Sequence, residues 1–125
     1  MLANEKVIYA YTRDQAVNDG VLMDAYQGDF EEITQQLFRE TPVYIAAGLL
    51  SLIERAVANP RWCNDLKGVW WDVAYMSTFG LRRGLPAGET HAYQVIITGT
   101  GRRRNHTICV SFDGQALTFC FPEEA

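Results

Sequence analysis

The side chains able to do chemistry in this sequence are few and scattered: His91, His106, Cys63, Cys109, Cys120 and the run Arg102-Arg103-Arg104. A zinc site or a nucleophile–base pair needs several such groups at recurring, short spacings. Neither histidine has a cysteine or carboxylate placed that way, and the odd number of cysteines lacks metal-ligand spacing. No catalytic residue, metal or cofactor is therefore expected, and the chain reads as a binder, not an enzyme. Free thiols in a reducing compartment fit the cysteine usage.

Binding groups are easier to find. The three arginines follow Gly99-Thr100-Gly101 and precede Asn105-His106, which puts Arg102, Arg103 and Arg104 at a hairpin tip. Such a fingertip can contact phosphates or an acidic partner, whereas the Gly-Thr-Gly element lacks the lysine and spacing of a P-loop. Residues 1–40 carry three cations against eight anions, a net −5 in a chain whose total is −4. That acidic third offers another mode, inhibition of a DNA-handling or defence enzyme by mimicry of phosphates. Trp70, Trp71 and Tyr75 are read as core or interface anchors in preference to a base-stacking platform, with Asp72 facing solvent.

These groups need elements to position them, and the predicted architecture is a single α+β domain over 1–125. Val7 to Tyr11 is β-branched and aromatic and reads as a short strand. Thr12, three residues before Gln15, has the spacing of a capping box, so a helix starts at Arg13 and stops at Gly20. Val21-Leu22-Met23 restarts an apolar segment. Asp29 to Glu40 reads as an amphipathic helix with Phe30, Ile33, Leu37 and Phe38 on one stripe. Thr41-Pro42 reads as the start of a central helix running to Ala58, ended by Asn59-Pro60. Asn64 or Asp65 caps another helix through Arg83, and Gly84, Pro86 and Gly88 form a linker.

Beyond Ala92 the period becomes two, and a three-stranded antiparallel meander is predicted over Tyr93 to Thr98, Thr107 to Phe112 and Ala116 to Phe121. Asp113-Gly114 suits a two-residue turn, which would set Phe112 opposite Gln115, Val110 opposite Leu117 and Ile108 opposite Phe119. Ile108, Val110, Phe112, Leu117, Phe119 and Phe121 then share the core face, joined by Tyr93, Val95 and Ile97. The other face collects Gln94, Ile96, Thr98, Thr107, Cys109, Ser111, Ala116, Thr118 and Cys120, with no charge at all. A solvated sheet face ordinarily carries charge. It is therefore expected either to be covered within the chain or to serve, through residues such as Ile96, Cys109, Thr118 and Cys120, as a partner or homodimer surface. In this register Cys109 and Cys120 are diagonal neighbours at roughly 7 Å, too far for an unstrained disulfide.

No stretch reads as a signal peptide, and the longest apolar run, Pro42 to Ile53, is too short for a bilayer. A cytoplasmic location away from membranes is expected.

The opening VIYAYTRDQAVNDGVL, followed by VWWDVAYM, resembles a family of small uncharacterised proteins of phages, plasmids and other mobile elements. Its shared opening is Ile-Tyr-x-Tyr-Thr-Arg-x-x-Ala-x-x-x-Gly-Val-Leu, matched here by Ile8, Tyr9, Tyr11, Thr12, Arg13, Ala16, Gly20, Val21 and Leu22; Trp71-Asp72 is a second likeness. The resemblance implies no activity or site residue. It implies a setting in which small proteins act by binding a host or element protein. Within the opening stretch, folding does not explain Tyr9, Tyr11 and Arg13, and they are the partner-binding candidates there.

Overall fold

In a computed structural model of the chain, residues 12–124 are described, and they form a five-stranded mixed sheet with the three longer helices packed on one face. The elements are α1 (Arg13–Asn18), β1 (Leu22–Asp24), a 3-10 turn (Gly28–Phe30), α2 (Glu31–Phe38), β2 (Val43–Ala46), α3 (Ala47–Ala58), α4 (Leu66–Leu81), β3 (Glu89–Ile96), β4 (Asn105–Phe112), β5 (Leu117–Cys120) and a final 3-10 turn (Pro122–Glu124). The strand order is β1-β2-β5-β4-β3. All neighbours are antiparallel except β2 and β5, which run parallel. The expected α+β class and C-terminal antiparallel meander are both present.

Local chemistry sets the helix ends as the spacing predicts. Thr12 accepts a hydrogen bond from the Gln15 N–H while the Gln15 side chain accepts one from the Thr12 N–H, the reciprocal capping box. Gly20 follows with φ +76°, the left-handed conformation that ends the turn. Asp65 caps α4 by accepting from the Gly68 N–H at 2.8 Å. The expected strand Val7 to Tyr11 lies outside the described residues.

The helix expected from Pro42 to Ala58 is corrected: its first part is strand β2, and α3 begins only at Ala47. Val43-Tyr44-Ile45 is β-branched and aromatic and lies between β1 and β5, with Val43 and Ile45 fully buried. A strand covered in the middle of a sheet shows no polar alternation, so its apolar run merges with that of the helix behind it. Thr41-Pro42 therefore leads into a strand, and the Pro42 carbonyl accepts from the Leu117 N–H. With no local cap, α3 receives one from the far end of the chain, where Glu124 accepts from the Gly48 N–H at 2.7 Å.

The last hairpin is also corrected. Phe112 pairs with Leu117, Val110 with Phe119 and Cys109 with Cys120, so the loop holds four residues, 113–116. Asp113 accepts from the N–H groups of both Gln115 and Ala116, which makes its side chain part of a longer turn. The slip is two residues, and because strand faces alternate with period two the face assignment survives it. Ile108, Val110, Leu117 and Phe119 are core. The third strand begins at Glu89, inside what the sequence suggests is a loop, since Gly88 already donates to the Phe112 carbonyl.

The core is built around Trp70. Its ring meets Phe119 and Phe30 edge-on at centroid distances of 5.2 and 5.8 Å, and its indole N–H donates to Thr34 Oγ1 at 3.0 Å. That single hydrogen bond ties α4 to α2 in a fully buried place.

Candidate functional site

The helix α4 separates the aromatic residues that its sequence groups together. Trp70 points into the core, while Trp71, Tyr75 and Phe79 climb the outer side at four-residue intervals. Trp71 stacks on Tyr75 at 5.2 Å and Tyr75 meets Phe79 edge-on at 5.4 Å. Of the five large apolar side chains that are exposed among the described residues, four lie on this side of the molecule: Trp62 at 43%, Met76 at 38%, Phe79 at 49% and Ile96 at 67%. A groove of about 730 Å³ joins Met76 of α4 to Ile96 of β3, with Asp72, Gln94 and Arg104 on its walls.

The strand β3 is the edge of the sheet, with no described strand beyond it. Tyr93 fastens it to α4 by donating to the Val73 carbonyl at 2.7 Å, and burial pushes the Tyr93 hydroxyl well above its ordinary value. Thr90, Ala92, Gln94 and Ile96 stand exposed on the second face. From Thr90 to Ile96 the edge carries no lysine, arginine, carboxylate or proline, the residues by which sheet edges are usually guarded.

The uncharged face is divided. Cys109, Cys120 and Ala46 form a small buried cluster against Leu22, and Thr118 is half-buried, so the middle of the face is closed within the chain. The β3 column, with Ile96, and Asn105 opposite it are open. The two cysteines are directly opposed, not diagonal as the shorter turn implies. Both are free thiols. Burial raises Cys109, and burial with the neighbouring Cys109 pushes Cys120 up to about 11, so neither is primed as a thiolate nucleophile.

Arg13, a partner-binding candidate from sequence, is engaged inside the molecule. Its guanidinium pairs with Asp113 and lies 5.0 Å from the centroid of Tyr44. Tyr9 and Tyr11 lie outside the described residues.

The arginine hairpin is not a free finger. Asn59 donates to the Gly99 carbonyl and Asn64 to the Thr98 carbonyl, each at 2.9 Å, which straps the 59–65 loop to the hairpin. Gly99, at φ +92°, lets that loop approach; a Cβ there would stand 3.2 to 3.3 Å from Asn64, the Ala56 carbonyl and Trp62. Five of the eleven cations, Arg55, Arg61, Arg102, Arg103 and Arg104, come from these neighbouring segments. None of them is in either of the two ion pairs found among the described residues, Arg13–Asp113 and Lys67–Glu32. Arg104 lies over the Trp62 ring at 5.1 Å. Arg103 turns the other way, into a cavity with Arg55 and His106. The amides of Asn59 and Asn64 were the signal in the sequence for this clustering, hidden because each is also an ordinary helix-boundary residue.

The chain matches no family model, no curated protein and no solved structure. No helix among the described residues is long and apolar enough to cross a membrane.

Proposed function

We propose that the protein acts by binding another protein, and that its docking site is the β3 edge together with the outer side of α4. The observation that carries this reading is the gathering of Trp62, Met76, Phe79 and Ile96 beside an unguarded strand edge. The occupant is an extended segment of the partner that adds to β3. Main-chain hydrogen bonds supply its affinity, and the Met76–Ile96 groove takes one of its apolar side chains. Arg104 at one end of the groove favours a segment with a carboxylate there. The resemblance of the opening to small mobile-element proteins agrees with a host or element protein as partner.

The test is a pull-down from host lysate, with nuclease, using the wild type, Ile96→Lys, Phe79→Ser and the double variant Arg102→Ala, Arg103→Ala, which leaves Arg104 in the groove. The same protein should be retained by the wild type and the double variant and lost from Ile96→Lys and Phe79→Ser. Equal recovery by all four would remove the β3 edge from consideration. Light scattering across a concentration series separates a foreign partner from a second copy, because a homodimer would dissociate in Ile96→Lys.

A second reading, nucleic acid binding, is favoured by one specific observation: five arginines at one end with no ion pair among the described residues, with Arg104 over the half-exposed Trp62. Arginine and aromatic faces together suit a single strand. Salt-dependent retention on single-stranded DNA or RNA, abolished in the triple variant Arg102→Ala, Arg103→Ala, Arg104→Ala, is the expected result; retention unchanged by that variant discards this reading.

A further inference from the structure

We propose that the cavity between α3, the start of β4 and the C-terminal 3-10 turn binds the phosphate group of a phosphomonoester, with Arg55, Arg103 and His106 as its donors. The cavity holds about 420 Å³, a size typical of small-molecule sites and larger than a phosphate group alone requires. It shares no lining residue with the α4–β3 groove, so it stands or falls apart from the protein-docking reading.

Charge makes the case for an anion. Arg55 reaches the cavity from α3 and Arg103 from the hairpin, and neither guanidinium has an ion-pair partner among the described residues. Two forked donors lining one cavity, neither held in an ion pair among the described residues, suit a tetrahedral dianion better than point cations would. His106 lines the same cavity, half-buried, with Nε2 at 3.5 Å from Thr100 Oγ1. Burial and then the fields of Arg103 and Arg55 hold its imidazole below the ordinary value. The same positive potential that keeps the ring neutral attracts an anion, and an anion seated there reverses the effect on the ring. Leu52, Phe121 and Pro122 provide an apolar wall for the body that carries the phosphate. Glu123 also lines the cavity and opposes an anion, the more so the greater its charge, so the two guanidiniums have to outweigh it.

Three ligands separate the sources of such a group: inorganic phosphate, a nucleoside 5′-monophosphate, and a single-stranded oligonucleotide with or without a 5′-phosphate. The readout is the NMR signal of the His106 ring and of the Thr107 amide. The monophosphate should shift both at millimolar concentration and raise the His106 midpoint. Arg103→Gln and Arg55→Gln should each weaken binding about tenfold or more, the scale of a lost charge-assisted hydrogen bond. Glu123→Gln should tighten it, while Arg82→Gln, remote from the cavity, should leave it unchanged. Sulfate, whose charge is constant across neutral pH, should bind more tightly as pH falls through the His106 titration; Arg55, Arg103 and Glu123 are the charged groups that share the cavity with that ring. Binding of the oligonucleotide only when it bears the 5′-phosphate supports the site and names a nucleic acid end as the source. Shifts reproduced by chloride at matched ionic strength, shifts unaffected by Arg103→Gln, or oligonucleotide binding indifferent to the 5′-phosphate would each overturn the proposal.

Discussion

Thr34 does the most with one hydroxyl. In a fully buried position it accepts from the Trp70 indole N–H and has the carbonyls of Ala25 and Phe30 both at 2.8 Å, one of which takes its proton. Thr34→Val keeps the shape and removes the hydroxyl, leaving a buried N–H and a carbonyl without partners. The expected cost is about 1–3 kcal/mol, read by urea unfolding. In a Trp70→Phe background the same substitution should cost measurably less, because the donor is gone; an equal cost in both backgrounds would show that the hydrogen bond is not the cause. Thiol reactivity gives a second check at this scale. Cys63 is exposed, and Cys109 and Cys120 are buried and held protonated. Iodoacetamide at mildly alkaline pH should add one label to the native protein and three to the unfolded one, counted by mass spectrometry. The sequence places Cys109 and Cys120 on the uncharged sheet face, and they lie there, buried. It conceals their direct opposition, because Asp113-Gly114 is the pattern of a two-residue turn and the Asp113 side chain instead organises a four-residue one.

Among the elements, α4 does most to hold the candidate surfaces in place, since one side anchors the core through Trp70 and the other presents Met76 and Phe79. Its start depends on a single local group, Asp65 accepting from the Gly68 N–H. Asp65→Ala should lower stability by about 1 kcal/mol, while Asp65→Asn, which keeps the acceptor, should lower it by only a few tenths; equal losses would assign the effect to charge at the helix N-terminus instead of to the cap. Caps of this kind are legible because they depend on residues three apart. The start of α3 is not, because its anion is Glu124, seventy-six residues away. The strand β2 is hidden for a related reason. Val43 and Ile45 are apolar because β1 and β5 flank them and helices cover them, and no local pattern distinguishes that from the buried turn of a helix. The candidate surfaces divide in the same way: the arginine run and the uncharged face are visible as sequence, but the strap from Asn59 and Asn64 that brings Arg55 and Arg61 toward the hairpin exists only in three dimensions.

At the scale of the molecule, one contact joins the acidic beginning of the chain to its C-terminal sheet. Arg13 of α1 lies over Tyr44 of β2 and pairs with Asp113 of the turn between β4 and β5, so three segments that are distant in sequence meet on the second face. Burial alone would raise Asp113, but the N–H groups of Ala116 and Gln115 and the Arg13 guanidinium outweigh it and hold the carboxyl below its ordinary value. A carboxyl whose value is lower in the folded than in the unfolded protein adds stability above the unfolded value, and that contribution disappears as pH falls through the folded value. Asp113→Asn retains the oxygen that accepts from Gln115 and Ala116 and removes the charge together with the oxygen that pairs with Arg13. The variant should be less stable than the wild type at pH 7, by a modest amount because the pair is partly exposed to solvent. The difference should shrink once pH drops below the ordinary carboxylate value and vanish in stronger acid. Arg13→Gln should lose part of the same pH-dependent stability, and combining it with Asp113→Asn should cost less than the sum of the two. Urea unfolding of the four proteins at neutral and acid pH measures all of this. A difference between wild type and Asp113→Asn that persists unchanged into acid would mean that the charge on Asp113 does not hold the two ends of the chain together.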